Sequence, residues 1–229
     1  GAWITVEKIL EPVENLPVDW PVAGTTGYDF LNRVTGLLVD SAGEKPVTDF
    51  YAGFTGEPVD YSAIVREKKR QALQQLLPAE IGRLLRLLQS LAVDETKLQR
   101  FTEEQFREAL VELVADFPVY RTYVQADERR VSEEDAHHVA EAIREACRHQ
   151  PELKGIFDFL EELLLLKTRT DQSVEFVMRF QQLTGPAMAK GVEDTTYYCF
   201  NRLVALNVVG GNPGQFGGST SDFHAAGEH

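Results

Sequence analysis

The period of the apolar positions changes near residue 60. Before that point, Trp3-Ile4-Thr5-Val6 and Ile9-Leu10 form a short run rich in β-branched residues, interrupted by Glu7 and Lys8. Its length and composition predict a strand over about 3–10. The following stretch, about 11–29, carries Pro12, Pro17, Pro21, Gly24 and Gly27 and predicts a loop. From about residue 60 onward the apolar residues recur three and four apart, which predicts helices. Ile64, Val65, Ala72, Leu73, Leu76 and Leu77 mark the first of these. Pro78 suits the first turn of the next, which carries Ile81, Leu84, Leu85, Leu88 and Leu91.

The helical series continues with recognisable starts. Thr102 and Gln105 form a capping-box pair ahead of Phe106, Leu110, Leu113 and Phe117. Ser132 caps a helix bearing Ala136, Val139, Ala140, Ile143 and Cys147, and Pro151 opens one bearing Leu153, Ile156, Phe157 and Leu160. Asp171 is expected to cap a helix with Val174, Val177 and Phe180, which Gly185-Pro186 should end. A last helix is expected over about 193–206. Between these, Pro118 to Val124 has strand-like side chains and reads as a short strand or extended loop. The expected fold is mainly α and helical bundle-like, with a short N-terminal β segment.

Composition narrows the function. The 229 residues are 43% hydrophobic and 26% charged, ordinary for a folded globular chain. A net charge of −13 argues against nucleic acid as a partner, because phosphate binding needs a basic face. The imbalance is front-loaded: residues 1–64 hold three basic and ten acidic side chains. No run of 18 apolar residues exists, so no membrane partner is expected. With only Cys147 and Cys199 and no visible signal-peptide pattern, a reduced, cytoplasmic chain is the expectation. The chain opens at once on a strand pattern, as an excised piece of a longer protein would.

Several motifs have plain readings. Gly210-Gly211-Asn212-Pro213-Gly214 lacks the Lys-Ser or Lys-Thr pair of a phosphate loop. His137 and His138 are adjacent, not four apart, so one helix face cannot offer both to zinc. They and the cluster Arg66-Glu67-Lys68-Lys69-Arg70 are expected on solvated helix faces. Glu7 stands apart, near the C-terminal end of a predicted strand and beside apolar neighbours. In a β/α barrel, catalytic groups project from that end. An edge-strand glutamate facing water is the competing reading.

A resemblance bears on that choice. The run WITVEKILEPVENLPVDWPVAGTTGYDFLN at 3–32 resembles the maltooligosyl trehalose synthases, members of the α-amylase-like glycoside hydrolases. VREKKR at 65–70, FPVYRTYV at 117–124, FVMRFQQLTGPAMAKGVEDTTYY at 176–198 and NRLVALN at 201–207 follow in the same order. The resemblance implies a segment of an interrupted (β/α)8 barrel. It implies barrel-derived strand and active-site loops over 1–59; the apolar period puts helical subdomains over 60–209, and five glycines within 210–218 predict a Gly-rich tail over 210–229 that is mobile or clamped by something absent from this chain.

The resemblance also implies an activity: retaining intramolecular transglycosylation that turns the reducing-end α-1,4 linkage of a maltooligosaccharide into an α,α-1,1 linkage. It implies no cofactor and no metal, with the maltooligosaccharide and the remaining barrel segments of the parent chain as partners. Glu7, in Val6-Glu7-Lys8-Ile9-Leu10, takes the family's general acid/base role. Tyr28, Asp29, Arg121, Lys190 and Tyr197 are implied substrate-binding residues. The nucleophilic Asp and a third carboxylate are expected outside these 229 residues, so the chain alone should be inactive. The sequence departs from the family's pattern at Val13, at Cys199-Phe200 and at Val208, where Gly, Arg-Tyr and Glu are common. A non-catalytic acidic helical interaction module, or a carbohydrate-binding module, is the alternative.

Overall fold

The computed structural model describes residues 1–12, 14–126 and 128–227. The departure noted at Val13 lies outside the described residues. The chain is mainly helical with one two-stranded sheet, and it divides into two compact units. Unit 1 comprises residues 1–65 and 193–229; unit 2 comprises 66–192. Among the described residues, no helix is long and apolar enough to cross a membrane.

In unit 1, β1 (Thr5–Val6) pairs in parallel with β2 (Gly24–Thr25), with Thr5 opposite Gly24 and Val6 opposite Thr25. The strand expected over about 3–10 is thus two residues long. The Lys8 amide donates to the Val6 carbonyl at 3.1 Å, a tight turn that takes the chain out of the ladder. Two helices follow that the apolar periodicity does not announce: α1 (Tyr28–Leu37) and α2 (Glu44–Thr55). Both leave aromatic residues in solvent, Phe30 on α1 and Phe50 and Phe54 on α2. A helix without a dry stripe escapes a search for apolar periodicity. Tyr51 of α2 is its one buried residue, and its ring meets Phe200 edge-on at 5.5 Å. Tyr61, first residue of α3 (Tyr61–Gln75), meets the same ring at 5.4 Å.

Unit 2 is a helical bundle built from the rest of α3, α4 (Pro78–Ala92), α5 (Glu103–Ala115), α6 (Glu133–His149), α7 (Lys154–Leu164) and α8 (Asp171–Met188). The expected stripes close on one core, including Leu84, Leu88, Leu110, Leu113, Ile143, Phe157, Leu160, Val177 and Phe180. The capping box at Thr102 and Gln105 forms, and Ser132 caps α6 through the Asp135 amide. The cap of α8 is Thr170, one residue before the expected Asp171.

The segment 118–124 is extended but pairs with side chains. Gln181 accepts from the Val124 amide at 2.6 Å and donates to its carbonyl at 3.2 Å, while Asp135 accepts from the Tyr123 amide at 2.8 Å. These side chains do the work of a neighbouring strand, and among the described residues the isolated bridge Gln125–Arg130 follows the segment.

Two expectations about charged and terminal residues fail for physical reasons. The basic cluster on α3 faces inward: Lys69 is 2% exposed and donates to the Phe117 carbonyl at 2.8 Å. Arg66 and Arg70 both pair with Glu112, whose side chain is 0% exposed. Buried charge persists where it is paired, and here two guanidiniums share one carboxylate. His138, also expected in solvent, is buried, while His137 is exposed.

The second failure concerns Gly185-Pro186, which does not end α8. Pro186 sits inside the helix on its exposed side, and the chain runs on through a π-helical stretch, Ala189–Thr196, and a short α9 (Tyr197–Cys199). The last helix expected over about 193–206 is therefore this composite, which ends before an extended Phe200 and a 3-10 turn at Val204–Leu206. Widened turns of this kind accommodate local irregularity without breaking the helix.

Gly191 sits in that widened stretch against α3. A Cβ there would lie 2.5–2.9 Å from the Lys69 Cγ, Cα and N. Gly191→Ala is therefore expected to destabilise the bundle by about 1–3 kcal/mol through overpacking. Denaturant unfolding followed by far-UV circular dichroism checks this, and an unchanged midpoint contradicts the close approach.

Candidate active site

Glu7 follows directly on β1 and is exposed. Its position is set by the parallel pairing, which two more backbone bonds extend: Ala23 N to Ile4 O at 2.7 Å and Thr26 N to Val6 O at 3.0 Å. Downstream, Lys8 and Glu14 form an ion pair at 2.5 Å with both side chains 5% exposed, and the second Glu14 oxygen accepts from the Glu11 amide at 3.2 Å. The proline-rich loop after Glu7 is thereby folded back on a buried, satisfied charge pair rather than on regular structure.

The turn from β2 into α1 is equally specific. The Thr25 hydroxyl accepts from the Gly27 amide at 3.1 Å and donates to Asp29 Oδ1 at 2.8 Å. Gly27 carries a φ of 95°, a left-handed conformation that glycine adopts without a Cβ clash. This turn delivers Tyr28, whose hydroxyl donates to Glu7 Oε1 at 3.2 Å. That hydrogen bond, followed by the carboxylate's charge, holds the Tyr28 hydroxyl above the ordinary tyrosine value.

Tyr197 lies in the same unit but is buried, 8% exposed, with its hydroxyl donating to the Gly211 carbonyl at 2.6 Å. Asn207 reinforces this corner by donating to the carbonyls of Tyr197 and Phe200 at 2.8 and 2.6 Å. The structure therefore brings Tyr28 onto Glu7, holds the adjacent Asp29 on Thr25, and places Tyr197 in the packing of the same unit. Arg121 and Lys190 belong to unit 2. Arg121 lies 5.5 Å from the Tyr123 ring, its Nε buried without a hydrogen-bond partner, and Lys190 is exposed.

Unit 1 also has an open cleft of about 470 Å3 lined by Val59, Tyr61, Ser62, Arg202, Asn212, Gly214 and Gln215. Among the described residues, one set has the donor types and spacing for a cation: Glu112, Asp116 and His149. Arg66 and Arg70 already neutralise it, and Arg66 Nε reaches Asp116 at 3.1 Å. Residues that sequence reasoning missed are Lys8, Glu14 and Gly210. Only the glycine pair Gly210-Gly211 left a signal in the sequence.

Comparison with known proteins covers nearly the whole chain. A Mycobacterium tuberculosis protein that carries the maltooligosyl trehalose synthase name is 31% identical over 224 residues, 98% of this chain. The chain is related to part of a maltooligosyl trehalose synthase. It spans 26% of that relative's length, about a quarter. The structure of maltooligosyltrehalose synthase from Arthrobacter ramosus matches at 36% identity with a TM-score of 0.83, over 99% of this chain and 27% of that one. A Sulfolobus tokodaii hypothetical maltooligosyl trehalose synthase matches at 26% identity with a TM-score of 0.67, over 98% and 26%. No family model matches the chain. Glu7, Tyr28 and Asp29 fall within the maltooligosyl trehalose synthase-like run at 3–32.

The tyrosines of this unit give it a pH limit. Burial first pushes the Tyr197 and Tyr61 hydroxyls far above the usual tyrosine value of 10.0, helped by the neighbouring Tyr61 and then Glu193 and Glu11 at Tyr197, and by Glu11 at Tyr61. An unfolded tyrosine ionises near that value, so the stability these groups contribute is whole below it and is lost as pH rises beyond it. Both tryptophans, Trp3 and Trp20, lie in unit 1 and report its unfolding by fluorescence. Its unfolding free energy should fall above pH 10, and the slope should be shallower in Tyr197→Phe by up to about 1.4 kcal/mol per pH unit. Equal slopes in the two chains contradict a buried, neutral Tyr197.

Proposed function

We propose that this chain is part of a cytoplasmic maltooligosaccharide mutase of trehalose synthesis and that Glu7 is its general acid/base. One observation carries the reading. The glutamate in the family-like motif sits just past a parallel strand pair, exposed to a substrate and oriented by the Tyr28 hydroxyl at 3.2 Å. The parallel pair is also what supports derivation from an interrupted (β/α)8 barrel. Exposed Trp3, Ile4, Phe30, Phe50 and Phe54 in unit 1 suit surfaces that further barrel segments of a parent chain would cover.

The reaction follows from retaining glycosyl transfer. A carboxylate supplied by the parent outside these 229 residues attacks the anomeric carbon on the non-reducing side of the terminal α-1,4 bond. Glu7 protonates the departing glycosidic oxygen, and glucose is released while the remaining oligosaccharide stays as a glycosyl ester. The freed glucose turns in the pocket, and its anomeric hydroxyl attacks the anomeric carbon of the glycosyl ester, displacing the carboxylate, while Glu7 accepts the hydroxyl proton. The new bond is α,α-1,1, and the nucleophilic carboxylate is regenerated. Water is excluded from this cycle, since its attack would give hydrolysis instead.

Tyr28, Asp29, Arg121, Lys190 and Tyr197 complete the proposed substrate-contacting set. Tyr28 bonds Glu7 from the start of α1, Asp29 beside it is held by Thr25 of β2, and the buried Arg121 Nε retains a donor to offer. Tyr197 contributes a wall through its packing rather than through its hydroxyl, which Gly211 already occupies.

In the full parent chain, Glu7→Gln should lower turnover of maltopentaose by about 100- to 10,000-fold, the usual worth of general acid–base catalysis, while sugar binding persists. Steady-state kinetics paired with calorimetry reads both. Wild-type turnover in that variant overturns the assignment. The 229-residue chain by itself should be inert, because a retaining site needs two carboxyl groups about 5–5.5 Å apart.

A further inference from the structure

The glycine-rich stretch after residue 209 packs against the stem of the tyrosine that orients Glu7. Gly210 has a φ of +72°, and a Cβ built there would lie 2.7 Å from Tyr28 Cβ, 3.3 Å from its Cγ and 3.6 Å from Ile9 Cγ2. The backbone at 210 therefore abuts both Tyr28 and Ile9, the residue two beyond Glu7. A side chain at 210 would demand space that Tyr28 now fills, in a conformation that L residues rarely adopt.

The loop is braced from its other side. The buried Tyr197 hydroxyl holds the Gly211 carbonyl at 2.6 Å, and the Gly211 amide donates to Val208 O at 2.7 Å. Arg202 donates to the carbonyls of Pro213 and Gly214 at 2.8 and 3.3 Å, and its side chain is only 7% exposed. At Gly214 a Cβ would come within 2.6 Å of the Tyr61 ring. Tyr197 and Arg202 thus hold the loop by hydrogen bonds, Tyr61 packs closely on it, and the loop backbone lies against the Tyr28 stem.

We propose that Gly210 is a positioning residue for Glu7, acting through Tyr28, with the loop 210–214 as a fixed backstop. The proposal rests on the acid/base reading of Glu7. Its physical content is orientation. An exposed glutamate has several rotamers, and the Tyr28 hydrogen bond selects one; the backstop keeps that donor within reach. The raised ionisation of Tyr28, caused first by its bond to Glu7, offers a signal that follows this contact directly.

The test uses the full parent chain with Gly210→Ala, Tyr28→Phe, their double mutant, and Gly53→Ala as a control, since a Cβ at Gly53 meets nothing within 4 Å. Gly210→Ala should lower kcat on maltopentaose by about 10- to 100-fold with KM changed less than about two-fold, and Tyr28→Phe should do the same. The double mutant should lose no more than the worse single, as expected when one residue acts through the other. In ring-labelled NMR, the Tyr28 hydroxyl should titrate closer to an ordinary tyrosine in Gly210→Ala. An unchanged kcat or an unchanged Tyr28 titration in folded Gly210→Ala overturns the proposal, as does a multiplicative double mutant. If Gly210→Ala does not fold, wild-type kcat in Tyr28→Phe overturns it alone. Glu7→Gln run alongside separates the cases, because turnover surviving there sinks the acid/base reading rather than the backstop.

Discussion

Everything around Glu7 depends on two dipeptides lying side by side. Thr5-Val6 and Gly24-Thr25 pair in parallel, and that register alone determines which residue of the second segment arrives opposite the end of the first. Parallel pairing cannot be closed by a tight hairpin, so a long connection must return the chain. Here that connection is the proline-rich loop, and it carries the buried Lys8–Glu14 pair in place of a helix. A shift of one residue would turn Tyr28 from Glu7 and leave the carboxylate without its partner.

Unit 2 obeys a different constraint. Its core is apolar and is lined by α3 to α8, yet one carboxylate, Glu112, lies at 0% exposure within it. Arg66 and Arg70 from α3 compensate that charge, while Asp116 joins Arg66 to His149 at 3.1 and 3.0 Å. Removing one partner of such a network leaves an uncompensated buried charge, which is why the inward turn of α3 is tied to α5. Polar and apolar burial therefore specify the same helix register.

The helical bundle was legible because its signals are local and strong. Stripes such as Ile81-Leu84-Leu85-Leu88 and the Thr102–Gln105 cap need no distant partner to be recognised. What escaped notice depended on tertiary partners. The extended 118–124 segment satisfies its backbone on Gln181 and Asp135, residues that nothing in its own sequence names. Pro186 is tolerated within α8 because its ring faces out, and the basic cluster turned inward because Glu112 waits there. Helices α1 and α2 carry exposed aromatics, so their periodicity is blurred. At the candidate site, Glu7 stands out in the sequence by its place at the end of a predicted strand, and the role proposed for it rests on the likeness of its motif to a known family. Its proximity to Tyr28, 21 positions away, is a product of the fold.

The central claim is that the Glu7 carboxylate meets the glycosidic oxygen of a maltooligosaccharide. A crystal structure of the full parent chain with Glu7→Gln and bound maltopentaose tests it most directly. Residue 7 is expected within hydrogen-bond distance, about 3 Å, of the oxygen joining the two reducing-end glucose units. A sugar bound with that oxygen beyond the reach of residue 7 and any bridging water would contradict it.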